Sequence, residues 1–390
     1  MYSTRASVRL RKRTGILLKS RCTYATTSYS TPAPHPTRIT DADVNEARKY
    51  CSNLLQKFDT PSFTLQTFIP LSSRDAYLSI RALNVELTRI PDVVSNPTVG
   101  ALRMQFWRDN LNRTFANTPP KEPVAILLHH ALVSLKSRYP GISTNVMKGW
   151  FMKVINTREQ YMDNRPYTSL DALETYAENT YSTLMYLTLA NLPLQSMAAE
   201  HVASHIGKAT GIAAVLRGLP LIAFPPPPNH HSNNAAFNSA LGGGQGGRQG
   251  AVVLPLDVMA EAGVKEEEVL RQGAAATGLK DAIFTVATRA NDHLITAREM
   301  LKNLQQGKEA GHDFEHAGED GHQYSETSYK DSSQADDIER GFGVFMPAIS
   351  TKLWLERLEK LDFDVFRPEL RAREWTLPWK AYVGYTRRRI

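Results

Sequence analysis

The chain has 390 residues, of which 42% are hydrophobic and 22% charged, a composition typical of globular proteins with one large or two ordinary domains. Its net charge of +7 comes from the first 40 residues, which contain eight Lys or Arg residues and no acid. The other residues sum to −1, so the basicity does not indicate a nucleic-acid surface, and we expect no nucleic-acid partner.

Residues 1–39 are predicted to be a mitochondrial transit peptide. This leader is rich in arginine and hydroxyl residues, lacks acids and can form an amphipathic helix around Val8–Leu18. A disordered basic tail is the alternative, whereas the apolar core Gly15–Leu18 is too short for a secretory signal. No run of apolar residues approaches 18, so no transmembrane helix is expected.

Helical patterns follow the leader along most of the chain. Thr40 or Asp41 can cap a first helix that ends near Phe58. Apolar residues spaced three and four apart predict further helices, at Arg74–Ile90, Pro97–Ala116, Pro123–Ser137, Ser143–Asp163, Ser169–Ala190, Gln195–Gly218, Pro255–Ala262, Lys265–Gln272, Leu279–Leu304 and Phe345–Leu361. No long alternating stretch indicates a sheet, so the predicted fold class is all-α.

Two low-complexity segments interrupt the helical pattern, at about 224–250 and 305–340. The first contains four consecutive prolines and the glycine-rich run Gly242–Gly247, and the second is rich in acids. Such sequences bury too little apolar surface to offset the entropy lost on ordering. We therefore predict a single helical domain, 40–390, with two flexible insertions. The glycines do not predict a phosphate loop, because no strand precedes them and no GK[ST] follows.

Six segments outside the insertions resemble the squalene/phytoene synthase superfamily and occur in the same order along the chain. They are RALNVELTRIPD (Arg81–Asp92), LRMQFWRDNL (Leu102–Leu111), LETYAENTYSTLMYL (Leu173–Leu187), IGKATGIAAVLRGLPLI (Ile206–Ile222), VVLPLDVMAEAGV (Val252–Val264) and LEKLDFDVF (Leu358–Phe366). The resemblance implies the isoprenoid-synthase type of helical bundle. It also implies two aspartate-bearing signature helices, which in the family's enzymes hold Mg²⁺ against a prenyl diphosphate.

The first signature is incomplete in this chain. Thr88 and Arg89 occupy the positions of the paired aspartates, and only Asp92 remains. Pro91 is expected to disturb the helix locally. A single carboxylate cannot build the cluster of oxygen ligands that bound magnesium requires.

The second signature keeps its framework and lacks its aspartates. Gly207, Ala209, Leu216 and Arg217 match the family pattern. Gly218 and Ile222 occupy the aspartate positions, and neither side chain offers an oxygen to a metal. We therefore expect no catalytic residue, no metal and no cofactor. For Arg217 a structural salt bridge is preferred over contact with an anion.

Other polar groups at helical spacing offer the ligand atoms that the signatures lack. The carboxylate pairs Glu159/Asp163 and Glu174/Glu178 could share a metal, but are expected to be solvated helix faces with partners such as Arg158 or Arg165. The histidines at 201 and 205 also share a helix face. Without a cysteine or an obvious third ligand nearby, they do not predict a zinc site.

One branch of the superfamily resembles the chain more closely than the enzymes do. NVELTRIPD, SHIGKATGI and FDVFRPEL are similar to mitochondrial assembly factors for respiratory complex I (NADH:ubiquinone oxidoreductase) that carry a phytoene-synthase-like domain. The resemblance implies a non-catalytic protein on the matrix side of the inner membrane, peripheral to it, with complex I subunits or other assembly factors as partners. Two alternatives stay open: an active prenyl-diphosphate transferase of isoprenoid biosynthesis, or a lipid- or quinone-binding protein that uses the ancestral cavity.

Overall fold

Every regular element in the computed structural model is helical within the residues it describes, which are 39–94, 96–192, 194, 197–225, 250–309 and 331–390. The all-α prediction is confirmed. The helices are α1 (Asp41–Phe58), α2 (Thr60–Leu65), α3 (Leu71–Val93), α4 (Pro97–Phe115), α5 (Pro123–Arg138), α6 (Asn145–Gln160), α7 (Leu170–Ala177), α8 (Thr183–Leu189), α9 (Met197–Ala223), α10 (Leu256–Glu261), α11 (Glu266–Gln272), α12 (Leu279–Gln305), α13 (Asp331–Gly341), α14 (Pro347–Lys360) and α15 (Leu377–Thr386). A π-helical turn, Glu178–Ser182, joins α7 to α8.

Local signals set most helix starts. Thr40 caps α1 in a reciprocal capping box, because its hydroxyl accepts from the backbone N–H of Asp43 at 3.2 Å. The Asp43 carboxylate in turn accepts from the Thr40 backbone N–H at 2.8 Å. Three helices, α4, α5 and α14, begin with proline, whose fixed φ and missing N–H suit the first helical position.

Two helices run further than predicted because tertiary packing outweighs a proline. Helix α3 continues through Pro91 to Val93, so the expected disturbance does not end it there. Helix α9 passes the predicted end at Gly218 and continues beyond Pro220 to Ala223. Pro220 and Ala223 are both buried, so the extra turn adds apolar packing that offsets the lost hydrogen bond.

Helix α9 lies at the centre of the bundle and packs against α7, α8, α12 and α14. Among the described residues, it is the one helix long and apolar enough to span a membrane by length and composition. However, 56% of its apolar window is buried inside the protein, as in the core helix of a bundle. Its apolar character is therefore explained by the core that it forms.

The predicted leader, residues 1–39, lies outside the described residues except for its last position. Most of the first predicted insertion, 226–249, and the middle of the second, 310–330, also lie outside them. The prediction of a flexible segment as far as 340 needs correction, because residues Asp331–Gly341 form α13. Ile338 is buried within this acidic helix, and Phe342 is buried just after it, which anchors the segment to the bundle.

Candidate functional site

The first signature lies on α3, and its side chains have local partners. The Thr88 hydroxyl donates to the carbonyl of Val85 at 3.0 Å, one turn earlier. The guanidinium carbon of Arg89 lies 3.9 Å from the ring centroid of Phe58, the geometry of a cation–π contact. Asp92 is exposed near the end of the helix. The two positions that aspartates would occupy thus serve a helix hydrogen bond and an aromatic contact.

A groove of about 330 Å³ runs beside the first signature, between α3 and α4. It is lined by two cations, Arg89 and Arg103, one carboxylate, Glu86, and apolar residues that include Trp107. Glu86 accepts a hydrogen bond from the Tyr50 hydroxyl at 2.8 Å. One engaged carboxylate beside two arginines does not provide the clustered oxygen ligands that hold magnesium on a diphosphate.

The glycines of the second signature bring helices into close contact. A Cβ atom added at Gly207 would lie 2.3 Å from the Cα of Ser182, in the π-helical turn. One added at Gly211 would lie 2.5 Å from the Cβ of Ala177, at the end of α7. Leu216, another residue of the family pattern, is fully buried. Packing against the π-helical turn and the core therefore explains why Gly207 and Leu216 match the family pattern, and Gly211, which is not part of that pattern, adds a close contact with α7.

The aspartate positions of the second signature differ from those glycines. A Cβ at Gly218 would contact only the Cδ1 of Ile222, at 3.9 Å, so this position faces open space. Ile222 packs against the hydrophobic core. The space at position 218 could therefore hold a carboxylate side chain, but the residue there is glycine, which has no side chain. Neither position offers a ligand to a metal ion.

Arg217 directly precedes Gly218 in the second signature. Its side chain is exposed, yet desolvation by the surrounding protein lowers the pKa of its guanidinium, against the opposing influence of Tyr181 and Asp59. The guanidinium carbon lies 5.1 Å from the ring centroid of Trp354. Within the described part of the chain, no carboxylate forms a salt bridge with Arg217, so the preferred prediction of a structural salt bridge is wrong there. A cation–π contact takes its place.

The junction of α1 and α2 connects the two signatures. Phe58, at the end of α1, packs on Arg89 of the first signature. Desolvation lowers the pKa of Arg217 in the second signature, and the charge of the adjacent Asp59 partly opposes that lowering. Asp59 also caps α2 by accepting from the backbone N–H of Ser62 at 3.1 Å. Both signatures are thus brought beside one turn of the chain, which contributes a single carboxylate already used as a helix cap.

The carboxylate pairs considered as replacement metal sites are paired with cations instead. Glu159 forms a salt bridge with Arg108, and Asp163 forms one with Arg165 at 2.7 Å. The expected Arg165 partner is confirmed. Arg158 is not such a partner: it is buried and donates to the Tyr176 hydroxyl and to Asn84 at 2.8 Å, an arrangement that sequence spacing did not predict.

The second pair lies inside the bundle rather than on a solvated face. Glu174 is buried and forms a salt bridge with Arg289. Although burial alone raises the pKa of Glu174, the neighbouring His293 and Arg289 lower it to about 2. Glu178 accepts from the Tyr186 hydroxyl and from the Ser204 hydroxyl at 2.7 Å.

A histidine cluster is the main feature that the sequence did not predict. Nδ1 of His205 lies 2.9 Å from Nδ1 of His293, and Nε2 of His293 lies 3.2 Å from the Glu174 carboxylate. Since only one hydrogen can lie between the two Nδ1 atoms, one ring donates and the other accepts. Among the described residues, no three His, Cys, Asp or Glu side chains are grouped so that they could hold a metal ion.

The fold and these two incomplete signatures define the class: the chain belongs to the squalene/phytoene synthase family, whose family model matches residues 55–221 and 244–379. The gap between the matched ranges overlaps the first predicted insertion, whereas the second predicted insertion lies inside a matched range. A dehydrosqualene synthase in complex with ligand superposes with a TM-score of 0.60 at 13% identity, covering 89% of this chain and 99% of that one. Squalene synthase HpnC from Alicyclobacillus acidocaldarius gives 0.54 at 12% identity, covering 83% and 97%. At these identities the likeness shows the shared fold.

Within this family, the chain is similar to named assembly factors. The Homo sapiens protein "NADH dehydrogenase (ubiquinone) complex I, assembly factor 6" is 31% identical over 334 residues, covering 86% of this chain and 80% of the relative. The Bos taurus protein of the same name is 31% identical over 341 residues, covering 87% and 82%. A Drosophila melanogaster homolog is 28% identical over 362 residues, covering 90% and 88%. The resemblance predicted from the sequence is confirmed.

Proposed function

We propose that this chain is a non-catalytic assembly factor for respiratory complex I, built on the fold of a prenyl-diphosphate synthase. The observation that carries this proposal is the state of the second signature. Gly218 faces open space where a family enzyme would present a carboxylate, while the glycines that pack α9 into the bundle remain. The names of the relatives, which are similar over most of both chains, support the same function.

The charges around the signatures support a pseudoenzyme. Departure of a diphosphate requires that its negative charge be neutralised, which the family's enzymes achieve with magnesium held by clustered aspartates. Asp92 is the single acid left at the expected signature positions. The nearby Asp59 caps a helix, and Arg89 stacks on Phe58. The chain thus keeps the scaffold and lacks the metal-binding groups.

The proposed location is the mitochondrion, on the matrix side of the inner membrane. The arginine-rich, acid-free leader over residues 1–39 supports import, independently of the relatives. The proposed partners are complex I subunits or other assembly factors, contacted through the helical surface, with peripheral attachment to the membrane. No cofactor is required by this function.

The experiment that tests the proposal is disruption of the gene in its own organism, followed by separation of respiratory complexes on a native gel. We expect assembled complex I to be strongly reduced and to return when the wild-type chain is re-expressed. Complexes III and IV provide the internal control for general mitochondrial damage. Normal complex I in the disrupted strain contradicts the proposal.

The enzyme alternative is tested by incubating the purified chain with farnesyl or geranylgeranyl diphosphate and Mg²⁺. A bacterial squalene synthase serves as the positive control, and we expect no diphosphate release above background. Robust turnover by this chain would revive the transferase function.

The ligand-binding alternative has one observation in its favour, because the guanidinium of Arg217 is accessible to water and, among the described residues, forms a cation–π contact with Trp354 and no salt bridge. Native mass spectrometry of the purified protein tests it. A lipid or quinone that co-purifies with the wild type and is lost from Arg217→Met would support a carrier.

A further inference from the structure

Three aromatic side chains at the carboxy-terminal end of the chain are unusually exposed. Trp375, just before α15, is 84% exposed, and Trp379 and Tyr382 on α15 are 70% and 55% exposed. The rings of Trp379 and Tyr382 stack, with centroids 6.2 Å apart and planes at 29°. Since residues three apart share a helix face, these two rings form one outward aromatic surface. Exposed aromatic clusters of this kind mark interaction sites.

The opposite face of α15 is fixed to the bundle, so the exposure does not come from a frayed end. Leu377 and Ala381 are buried. The ring of Tyr385 lies 5.0 Å from that of Phe68, between centroids. A Cβ at Gly384 would lie 2.4 Å from the Cδ1 of Ile349, which shows how closely α15 approaches α14. The helix therefore presents its aromatic face on a rigid support.

Positively charged residues lie close to these aromatic residues in the sequence. Residues 371–390 contain six Lys or Arg residues and one acid, a formal side-chain charge of +5, whereas the side chains of residues 41–370 sum to −6. The acid, Glu374, forms a salt bridge with Arg357 of α14 and is thereby neutralised. Arg388 pairs with Glu339. The other five cations are exposed, before, within and after the aromatic set: Arg371, Arg373, Lys380, Arg387 and Arg389.

From this arrangement we propose that residues 371–390 form a membrane-docking surface that binds the headgroup layer of an anionic phospholipid bilayer. Tryptophan and tyrosine favour the interface between headgroups and acyl chains, where the ring is apolar and its N–H or O–H stays hydrated. Exposed lysine and arginine side chains are attracted to lipid phosphates. The two features coincide here, on an otherwise acidic body. The inference deepens the proposed function, because it names the surface and the lipid chemistry of the peripheral attachment.

The test uses the full chain and vesicles of phosphatidylcholine with or without about 20% phosphatidylglycerol. The chain has five tryptophans, and Trp107, Trp150 and Trp354 are already buried, so a blue shift of emission on binding reports on Trp375 and Trp379. We expect this shift, together with co-sedimentation, on anionic vesicles and much less of either on neutral ones. The leader contains no tryptophan, and its cations contribute equally to vesicle binding in every variant, so the differences between variants report on residues 371–390.

Two surface variants separate the contributions. Trp375→Ser/Trp379→Ser is expected to weaken co-sedimentation with anionic vesicles about tenfold, because the inserted apolar area is lost. Arg371→Gln/Lys380→Gln/Arg387→Gln is expected to reduce the preference for anionic over neutral vesicles relative to the wild type and to the lysine control. The matched controls, which should bind as the wild type does, change other exposed residues. They are the apolar pair Leu102→Ser/Phe106→Ser on α4 and the lysines in Lys49→Gln/Lys121→Gln/Lys136→Gln. Circular dichroism checks that each variant is folded.

The outcomes distinguish this inference from the proposed function, because vesicle binding requires no complex I. Wild-type binding that ignores anionic lipid, or tryptophan and control variants that bind alike, overturns the docking surface alone. A third outcome also overturns the inference: the wild-type chain binds no vesicles, and the folded tryptophan variant fails to support complex I assembly. The aromatic surface would then be a contact with a protein. Vesicle binding as expected, with normal complex I after gene disruption, would overturn the assembly function and leave the surface standing.

Discussion

Two glycines on α9 test whether the second signature is kept for packing. A methyl group at Gly207 would lie 2.3 Å from the Cα and 2.5 Å from the backbone nitrogen of Ser182, atoms that cannot rotate away. A methyl group at Gly218, in the same helix, would meet only the flexible end of Ile222 at 3.9 Å. The same substitution, glycine to alanine, should therefore have opposite effects at the two positions.

The magnitudes follow from two opposing contributions. Forcing an extra methyl group into a packed core costs about 1–3 kcal/mol, and contact with backbone atoms places Gly207 at the upper end. Replacing glycine by alanine inside a helix returns about 1 kcal/mol through lower chain entropy in the unfolded state. We expect Gly207→Ala to lower the free energy of unfolding by about 2 kcal/mol. Gly218→Ala should raise it by about 0.5–1 kcal/mol, because only the favourable contribution applies.

Urea unfolding followed by far-UV circular dichroism measures both effects as midpoint shifts at equal slope. The wild type and Gly218→Ala serve as controls for each other, since both keep the close contact at Gly207. A Gly207→Ala variant as stable as the wild type would refute the packing argument. Equal destabilisation by both substitutions would also refute it, because a methyl group at Gly218 would then meet more than the open space beside Ile222.

Three further predictions concern charged side chains. The pKa of Glu174 falls from its usual 4.5 to about 2 in the folded state, so its contribution to stability is present above about pH 4.5 and lost as the pH falls toward 2. The free energy of unfolding of the wild type should exceed that of Glu174→Gln by on the order of 2–3 kcal/mol near pH 6. Urea unfolding should show a smaller difference at pH 3. A difference that stays constant between these pH values would contradict the lowered pKa. Arg158→Leu leaves the buried acceptors Tyr176 and Asn84 without their donor and should cost about 2–4 kcal/mol in the same assay, with Arg165→Leu at the surface as its near-neutral control. Arg217→Met loses a cation–π contact and no salt bridge, so its free energy of unfolding should differ from that of the wild type by no more than about 1 kcal/mol. A decrease in stability as large as that of Arg158→Leu would instead indicate that Arg217 forms a buried ionic interaction.

Helix positions were predictable because their signals are local. The Thr40 cap, the prolines that begin α4 and α5, and the apolar spacing of α12 lie within a few residues of the elements they define. Helix α13 was missed because its sequence is acidic and its anchoring residues, such as Ile338, are few. Helix α15 is not among the helices predicted from the sequence. Its stability comes from contacts with α2 and α14, which sequence spacing does not contain.

The sequence was sufficient to predict that the candidate site lacks metal ligands, but not to predict which side chains contact each other there. The missing oxygen ligands at Gly218 and Ile222 are visible in the sequence, since side-chain chemistry alone excludes them as metal ligands. The contact between His205 and His293 joins residues 88 positions apart, and the Trp354 partner of Arg217 lies on another helix. Such contacts follow from how α9 packs on α12 and α14, which no spacing rule gives.

The most direct test of the central claim is rescue of the disrupted strain by the chain carrying Asp92→Asn, which removes the last carboxylate of the two signatures. Complex I assembled in this strain is measured on a native gel against a strain rescued with the wild-type chain. Because the proposed function needs scaffold and surface but no metal-bound diphosphate, complex I should return to the wild-type level. Rescue by the wild type and failure of an equally abundant Asp92→Asn protein would contradict the account and point to retained catalysis.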